Sequence, residues 1–272
     1  MLDRVMHPLD SRVRYRIGQV DPRFGISRET LAQLCKQAIA IWEEGTGKTL
    51  FVEDDTALLV VNLIYDERQA ETNLKLRAEN TLNHAQADQQ QHASQYVQQK
   101  QQLEQERREI DLRQLNLQQR YDNYNRSVEN WRVLGNIDDY NRQLLNQQRE
   151  SLEAAQRDLQ QAIDQFNRHV DEVNQNAHQL NQQVTDFNQS VADYRRRFSP
   201  RQFEKGVYNG RQINIYEFTN PAELRIVLAH EFGHALGLKH NNTPYALMYP
   251  VLHEQNIEHF QLTMADKAML SR

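Results

Sequence analysis

His230-Glu231-Phe232-Gly233-His234-Ala235-Leu236-Gly237-Leu238-Lys239-His240 places three imidazoles and one carboxylate in the spacing that a catalytic zinc requires. Just upstream, Asn220, Pro221 and Glu223 read as a helix start: Asn220 as N-cap, Pro221 at the first helical position, and Glu223 reaching back to close a capping box. A helix from there to about Leu236 sets His230 and His234 one turn apart on one face, where they can hold one cation between them. Glu231 points beside them. Gly237 can adopt the left-handed conformation that ends a helix, letting the chain turn and bring His240 back to the same ion. Three neutral nitrogens leave a fourth tetrahedral position for water, which separates a catalytic zinc from a structural one closed by four protein ligands. The expected chemistry is peptide-bond hydrolysis without a covalent intermediate. A zinc ion lowers the pKa of water and polarises the scissile carbonyl, while Glu231 takes the water's proton and passes it to the leaving amine.

The bare H-E-x-x-H pattern arises by accident, but with Gly237 and His240 added its chance occurrence falls below roughly one in a thousand chains of this size. The longer form, completed by a methionine turn, is the metzincin signature. Beyond His240 stands Ala246-Leu247-Met248-Tyr249-Pro250, with Met248 eight residues past the histidine, and with it the sequence resembles the matrixins. The resemblance implies that Met248 lies beneath the zinc as an apolar floor and that Tyr249 and Pro250 line the substrate site. Ala246 stands where matrixins usually carry Ser, and Leu252 where many carry Tyr, which alters the segment that walls the S1′ pocket. Asp266 matches the acid that braces the methionine turn from the C-terminal helix, and Thr263-Met264-Ala265-Asp266 reads as a capping-box variant opening that helix. Ala265 replaces a second acid that pairs with a freed N-terminus in many matrixins, so activity without N-terminal processing is the expectation.

The 272 residues carry a net charge of −5, with 39% hydrophobic residues and a mean hydropathy of −0.85, too polar to bury that length as core. Nothing in the charge suggests nucleic acid or an anionic membrane as partner. No run is long enough to span a bilayer. The first ten residues are too short and polar for a signal peptide, so the protein is either cytosolic or exported with its leader absent; the resemblance implies export, secreted or periplasmic. Cys35, the single cysteine, lies in a helical pattern and reads as a small buried hydrophobe.

Residues 12–20 alternate as an edge strand would, and Asp21 to Gly25 turn the chain. Ser27 caps a helix whose apolar face is Leu31, Leu34, Cys35, Ala38, Ile39 and Trp42, stopped by Gly45 and Gly47. Strands follow at 50–53 and 57–65, the second apolar enough for a central position. Strand, helix, strand, strand is the order of a matrixin N-terminal subdomain.

Between Pro22 and Pro200 there is no proline, and Gly135 is the lone glycine between Gly47 and Gly206. Apolar residues recur every seventh position from Tyr96 through Leu103, Ile110, Leu117 and Tyr124 to Trp131. They do so again from Leu145 through Leu152, Leu159, Phe166, Val173, Leu180 and Phe187 to Tyr194, which gives two coiled-coil seams. Gly135-Asn136-Ile137-Asp138 supplies a C′ glycine and a new N-cap, so the arms fold back as an antiparallel hairpin. Beyond it, residues 203–208 and 211–218 flank Asn209-Gly210 as a two-residue hairpin turn. The resemblance makes Val207 and Tyr208 backbone partners for a bound peptide. The other histidines (7, 84, 92, 169, 178, 253 and 259) show no ligand spacing, so one catalytic Zn2+ is expected and neither calcium nor a second zinc is supported.

The expected fold is α+β: a metzincin-like catalytic domain with a mixed twisted sheet, zinc helix and C-terminal helix, formed by residues 1–66 and 199–272 and interrupted by a coiled-coil insertion at 67–198. The expected function is a zinc endopeptidase acting on protein or peptide substrates, with the hairpin as an exosite or interaction arm, open to self-association or a protein partner. The rival reading is a non-catalytic scaffold or peptide-binding protein with a vestigial zinc site.

Overall fold

The computed structural model describes residues 10–199, 204–251 and 255–270. His7, Phe203, Leu252 and His253, given roles above, lie outside them. The elements run β1 (Val13–Val20), α1 (Arg28–Thr46), β2 (Phe51–Glu53), β3 (Leu59–Leu63), α2 (Glu67–Leu134), α3 (Asp139–Arg197), β4 (Gly206–Tyr208), β5 (Gln212–Ile215), α4 (Pro221–Ala235) and α5 (Met264–Leu270). By contacts the chain divides into two units, Met1–Glu79 with Phe198–Arg272, and Asn80–Arg197.

The first unit is a mixed α+β domain on a five-stranded sheet of order β2-β1-β3-β5-β4, parallel except for β4, which runs antiparallel to β5. β3 is central, as its apolar run predicts, with Leu59, Val61 and Leu63 buried. β1 is not the edge strand its alternation suggested, because β2 pairs on its far side. Tyr15 and Ile17 face the core. The opposite face carries arginines with local partners: Arg14 pairs with Asp10 and Asp54, each at 2.7 Å, and Arg16 Nε donates to the Ala57 carbonyl. The alternation therefore separates two faces of an interior strand.

Ser27 caps α1 by accepting from the Thr30 amide, and the six residues of the expected apolar face are all buried. Gly47, at φ +67°, ends the helix; Gly45 lies inside it, where a Cβ would overlap Leu262. α1 and α4 pack on each other and on the sheet, with Phe232 of α4 edge-on to Tyr15 and Phe51 at centroid distances of 5.3 and 4.9 Å. At the β4–β5 hairpin the turn is displaced by one residue from expectation. Asn209 N–H donates to the Gln212 carbonyl, so Gly210 (φ +94°) and Arg211 form the two-residue loop. Asn209 Oδ1 accepts from the amides of Arg211 and Gln212, and this side-chain turn fixes Asn209 as the residue before the loop.

α2 ends at Gly135 (φ +72°), and Asp138 caps α3 by accepting from the Asn141 amide. In the second unit the two helices lie side by side and antiparallel: His92 bonds Gln183, Gln99 bonds Asn176 and Glu106 bonds His169, so each step of seven up one helix is matched by seven down the other. The heptad positions are the buried or half-buried ones, with Leu117, Leu152 and Val173 the most enclosed. Among the described residues no helix is long and apolar enough to cross a membrane.

Candidate metal centre

α4 is positioned from both ends. Asn220 accepts from the Glu223 amide at 2.9 Å, as an N-cap should. Glu223 does not close the box on Asn220 itself; its Oε2 accepts from the amide and hydroxyl of Thr219, one residue earlier, because its other oxygen holds the Lys205 ammonium. At the far end Gly237 (φ +90°) donates to His234 O and Leu238 to Gly233 O, the paired bonds of a Schellman motif, which turn the chain back toward the helix. From Leu224 to Gly233 nearly every side chain is buried, and Trp42 Nε1 donates to the Ala229 carbonyl at 2.8 Å, locking α4 to α1.

The returning His240 completes a triad. Its Nε2 lies 3.2 Å from Nε2 of His230 and 3.2 Å from Nε2 of His234. His230 Nδ1 lies 2.6 Å from the Leu247 carbonyl and His234 Nδ1 2.8 Å from the Leu238 carbonyl. A carbonyl only accepts, so both Nδ1 atoms carry the proton and both Nε2 atoms present lone pairs to the same point. A tetrahedral zinc with bonds of about 2.0–2.1 Å sets its nitrogens roughly 3.3 Å apart, which these residues match. Burial, followed by the neighbouring imidazoles, pulls the His230 pKa down to about 4, and His240 is also lowered, chiefly by burial, so these two imidazoles are held in the neutral form that a metal needs. Among the described residues this is the one cluster of three or more such side chains able to hold a metal.

Glu231 lines the same cleft and is only 4% exposed. Burial pushes its pKa up to about 7, opposed by the Tyr208 backbone N–H. Its buried Oε2 has no hydrogen-bond partner in the protein. A half-satisfied buried carboxylate beside three converging ring nitrogens is costly for a scaffold but suits a group that receives a proton.

Below the triad, Asp266 of α5 is fully buried and accepts from the amides of Leu247 (3.0 Å) and Met248 (3.1 Å). Its carboxylate also takes the amide and hydroxyl of Thr263, while its own amide donates to the Thr263 hydroxyl, so the capping box closes. Asp266 thereby fixes the backbone whose Leu247 carbonyl orients His230. Met248 is fully buried against Gly233, where a Cβ would come within 2.4 Å of its sulfur.

The cleft, of about 800 Å³, is lined by the triad, Glu231, Val207, Tyr208, Tyr249 and Pro250. The structure thus brings together every residue singled out for metal, catalysis and substrate, with Met248 packed behind them. Sequence reasoning missed one wall, made by Glu71, Thr72, Lys75, Leu76 and Glu79 in the first turns of α2. These positions follow a helical face, but with one apolar member that face carries no signal in the sequence.

The family described as Matrixin matches residues 8–272. Human matrix metalloproteinase-20 is 52% identical over 48 residues, covering 18% of this chain and 10% of that protein. Matrix metalloproteinase-9 of Canis lupus familiaris is 50% identical over a match covering 14% of this chain and 6% of that protein. The chain therefore matches a tenth or less of the length of these relatives. With the family match running through both halves of the sheet and the His230, His234 and His240 triad, the chain belongs to the matrixin family.

Proposed function

We propose that the protein is a zinc-dependent endopeptidase with one catalytic ion held by Nε2 of His230, His234 and His240. The observation that carries this reading is the buried Oε2 of Glu231, without a partner, beside three imidazoles whose Nε2 spacing suits a tetrahedral cation, two of them with Nδ1 held by a backbone carbonyl. When bound, zinc supplies Lewis acidity toward the scissile carbonyl and lowers the pKa of a water molecule. Glu231, raised to about 7, accepts the proton of the attacking water and returns it to the leaving amine near neutral pH. Val207 and Tyr208, on the edge strand β4, offer backbone groups to an extended peptide, and Tyr249 and Pro250 line the same cleft. Met248 serves as the floor of the centre.

The long helices form a coiled-coil hairpin, supported by the heptad burial and by the cross-helix bonds spaced seven residues apart. Its role is that of an exosite, adding a second contact for a protein substrate and raising the effective concentration at the cleft. Export, secreted or periplasmic, fits the family. The test is to incubate the zinc-loaded protein and its Glu231→Ala variant with a mixed peptide library. The parent should cleave and the variant should retain zinc but lose cleavage by about 10²-fold or more; undiminished turnover in the variant would refute the role of Glu231.

A further inference from the structure

We propose that Lys205 and Glu217 are positioning residues that hold strand β4 down over the Glu231 carboxylate, with Thr72 at the root of α2 as the third member of the same anchor. This rests on the endopeptidase reading above.

β4 is three residues long, lies at the sheet edge and pairs with β5 alone, so its sheet bonds hold it weakly. It is nevertheless pressed against the catalytic carboxylate. A Cβ at Gly206 would meet Val227 Cγ1 at 2.9 Å and Glu231 Cγ at 3.1 Å, so the β4 backbone rests directly on the side chain of Glu231. The placement of that strand sets what surrounds the carboxylate and which backbone groups a substrate meets.

Lys205, the residue before β4, is what holds it. Its carbonyl accepts from the amides of Tyr216 (2.8 Å) and Glu217 (3.3 Å). Its ammonium lies between Glu217 Oε2, at 2.9 Å, and Glu223 in the first turn of the zinc helix. Burial acts to lower the Lys205 pKa, but the carboxylates of Glu223 and Glu217 outweigh it and keep the ammonium charged. Glu217 is almost wholly enclosed, and its Oε1 accepts from the Thr72 hydroxyl at 2.9 Å. One turn earlier, Gln69 donates to the Phe218 carbonyl (3.0 Å) and accepts from the Phe218 amide (2.9 Å), clasping the segment that carries Glu217. A trio of half-buried charges around the enclosed Glu217 is a weak way to gain stability compared with apolar packing, and its directional bonds are better explained by the need to fix one placement of the strand. Thr72 and Glu217 are 145 positions apart, so the long helix takes part in setting the catalytic geometry through its own first turns.

The experiment compares the full-length, zinc-loaded parent with Lys205→Met, Thr72→Val and Thr72→Ser. It reads kcat and KM on a short fluorogenic peptide, zinc content, and amide exchange at residues 206–208 and within α4. Lys205→Met should lower kcat about tenfold with KM within about twofold and zinc retained, because a small misplacement of the catalytic group is expensive in rate. Exchange at 206–208 should quicken by about tenfold while α4 is unchanged, as expected for local release of one element. Thr72→Val should move both readouts the same way by about threefold, and Thr72→Ser should restore them, since the hydroxyl is what Glu217 uses. Three results would each overturn the proposal: kcat unaltered in Lys205→Met, a rise in KM alone (which would make Lys205 a substrate contact), or exchange quickening equally through α4. Should Lys205→Met fail to fold, the Thr72 pair decides by the same readouts. A parent that binds zinc but cleaves nothing would defeat the endopeptidase reading alone, since the exchange comparison still decides whether the anchor holds β4.

Discussion

Gly233→Ala tests how tightly the zinc helix is pressed onto its floor. The new methyl would lie 2.4 Å from Met248 Sδ and 2.7 Å from Trp42 Cζ2, where ordinary contacts are about 3.5–4.0 Å. Neither neighbour can yield cheaply: both are fully buried, and the Trp42 ring is tethered through Nε1 to Ala229 O. Overpacking of this kind costs about 3 kcal/mol at the upper end, and Gly-to-Ala in a helix interior returns about 1, leaving a net loss of about 2 kcal/mol. For a domain of this size that lowers Tm by about 4–8 °C. The displaced Met248 also drags the Leu247 carbonyl that orients His230, so zinc affinity should fall about tenfold. Thermal unfolding followed by Trp42 fluorescence in a Trp131→Phe background reads the sheet-containing unit without the arm, and chelator competition reads the metal. Gly237→Ala is the contrast: nothing lies within 4 Å of its Cβ, so the cost is backbone strain alone, about 1–2 kcal/mol. If Gly233→Ala is as stable as the parent and binds zinc equally well, the reasoning about that contact is wrong.

Three further outcomes are expected. His234→Ala should lose the metal, in contrast to Glu231→Ala, which keeps it; zinc content after dialysis separates the two. Asp266→Asn puts an amide where the carboxylate accepts from Leu247 and Met248, and should cost about 3 kcal/mol by denaturant midpoint. Replacing residues 80–197 with a Gly/Ser linker should spare cleavage of a short peptide but reduce cleavage of a protein substrate by about tenfold or more. Equal loss on both would show that the arm maintains the active domain instead. The replacement starts at Asn80 because Gln69 and Thr72 bond residues 217 and 218.

What could be read from the sequence was whatever repeats locally or occurs at fixed spacing. The triad, the Asn220 cap, the Gly237 turn, the seven-residue recurrences and the acid at Asp266 each depend on neighbours a few positions away or on a motif with a known mechanical role. The alternation of β1 was visible, but a polar strand face closed by arginine pairs looks the same as an edge. The hairpin turn was displaced because Asn209 acts through its side chain, which composition alone does not distinguish from a turn residue with positive φ. The wall formed by α2 and the Thr72, Glu217 and Lys205 anchor could not be read at all. Leu76 apart, their members are polar and their partners lie far along the chain, so no periodicity marks them.

β3 and β5 are neighbours in the sheet, yet roughly 150 residues separate Leu63 from Gln212. At about 5–20 residues per second of synthesis, β3 waits on the order of ten seconds or more for its partner strand. Left as a floppy loop, that stretch would cost about 2 kcal/mol more to close than a ten-residue connection. Helices whose contacts are local form long before such a sheet can. An arm that folds back on itself during translation therefore turns a distant pairing into a near one, and gives the long helices a part in assembling the sheet as well as in whatever they later touch.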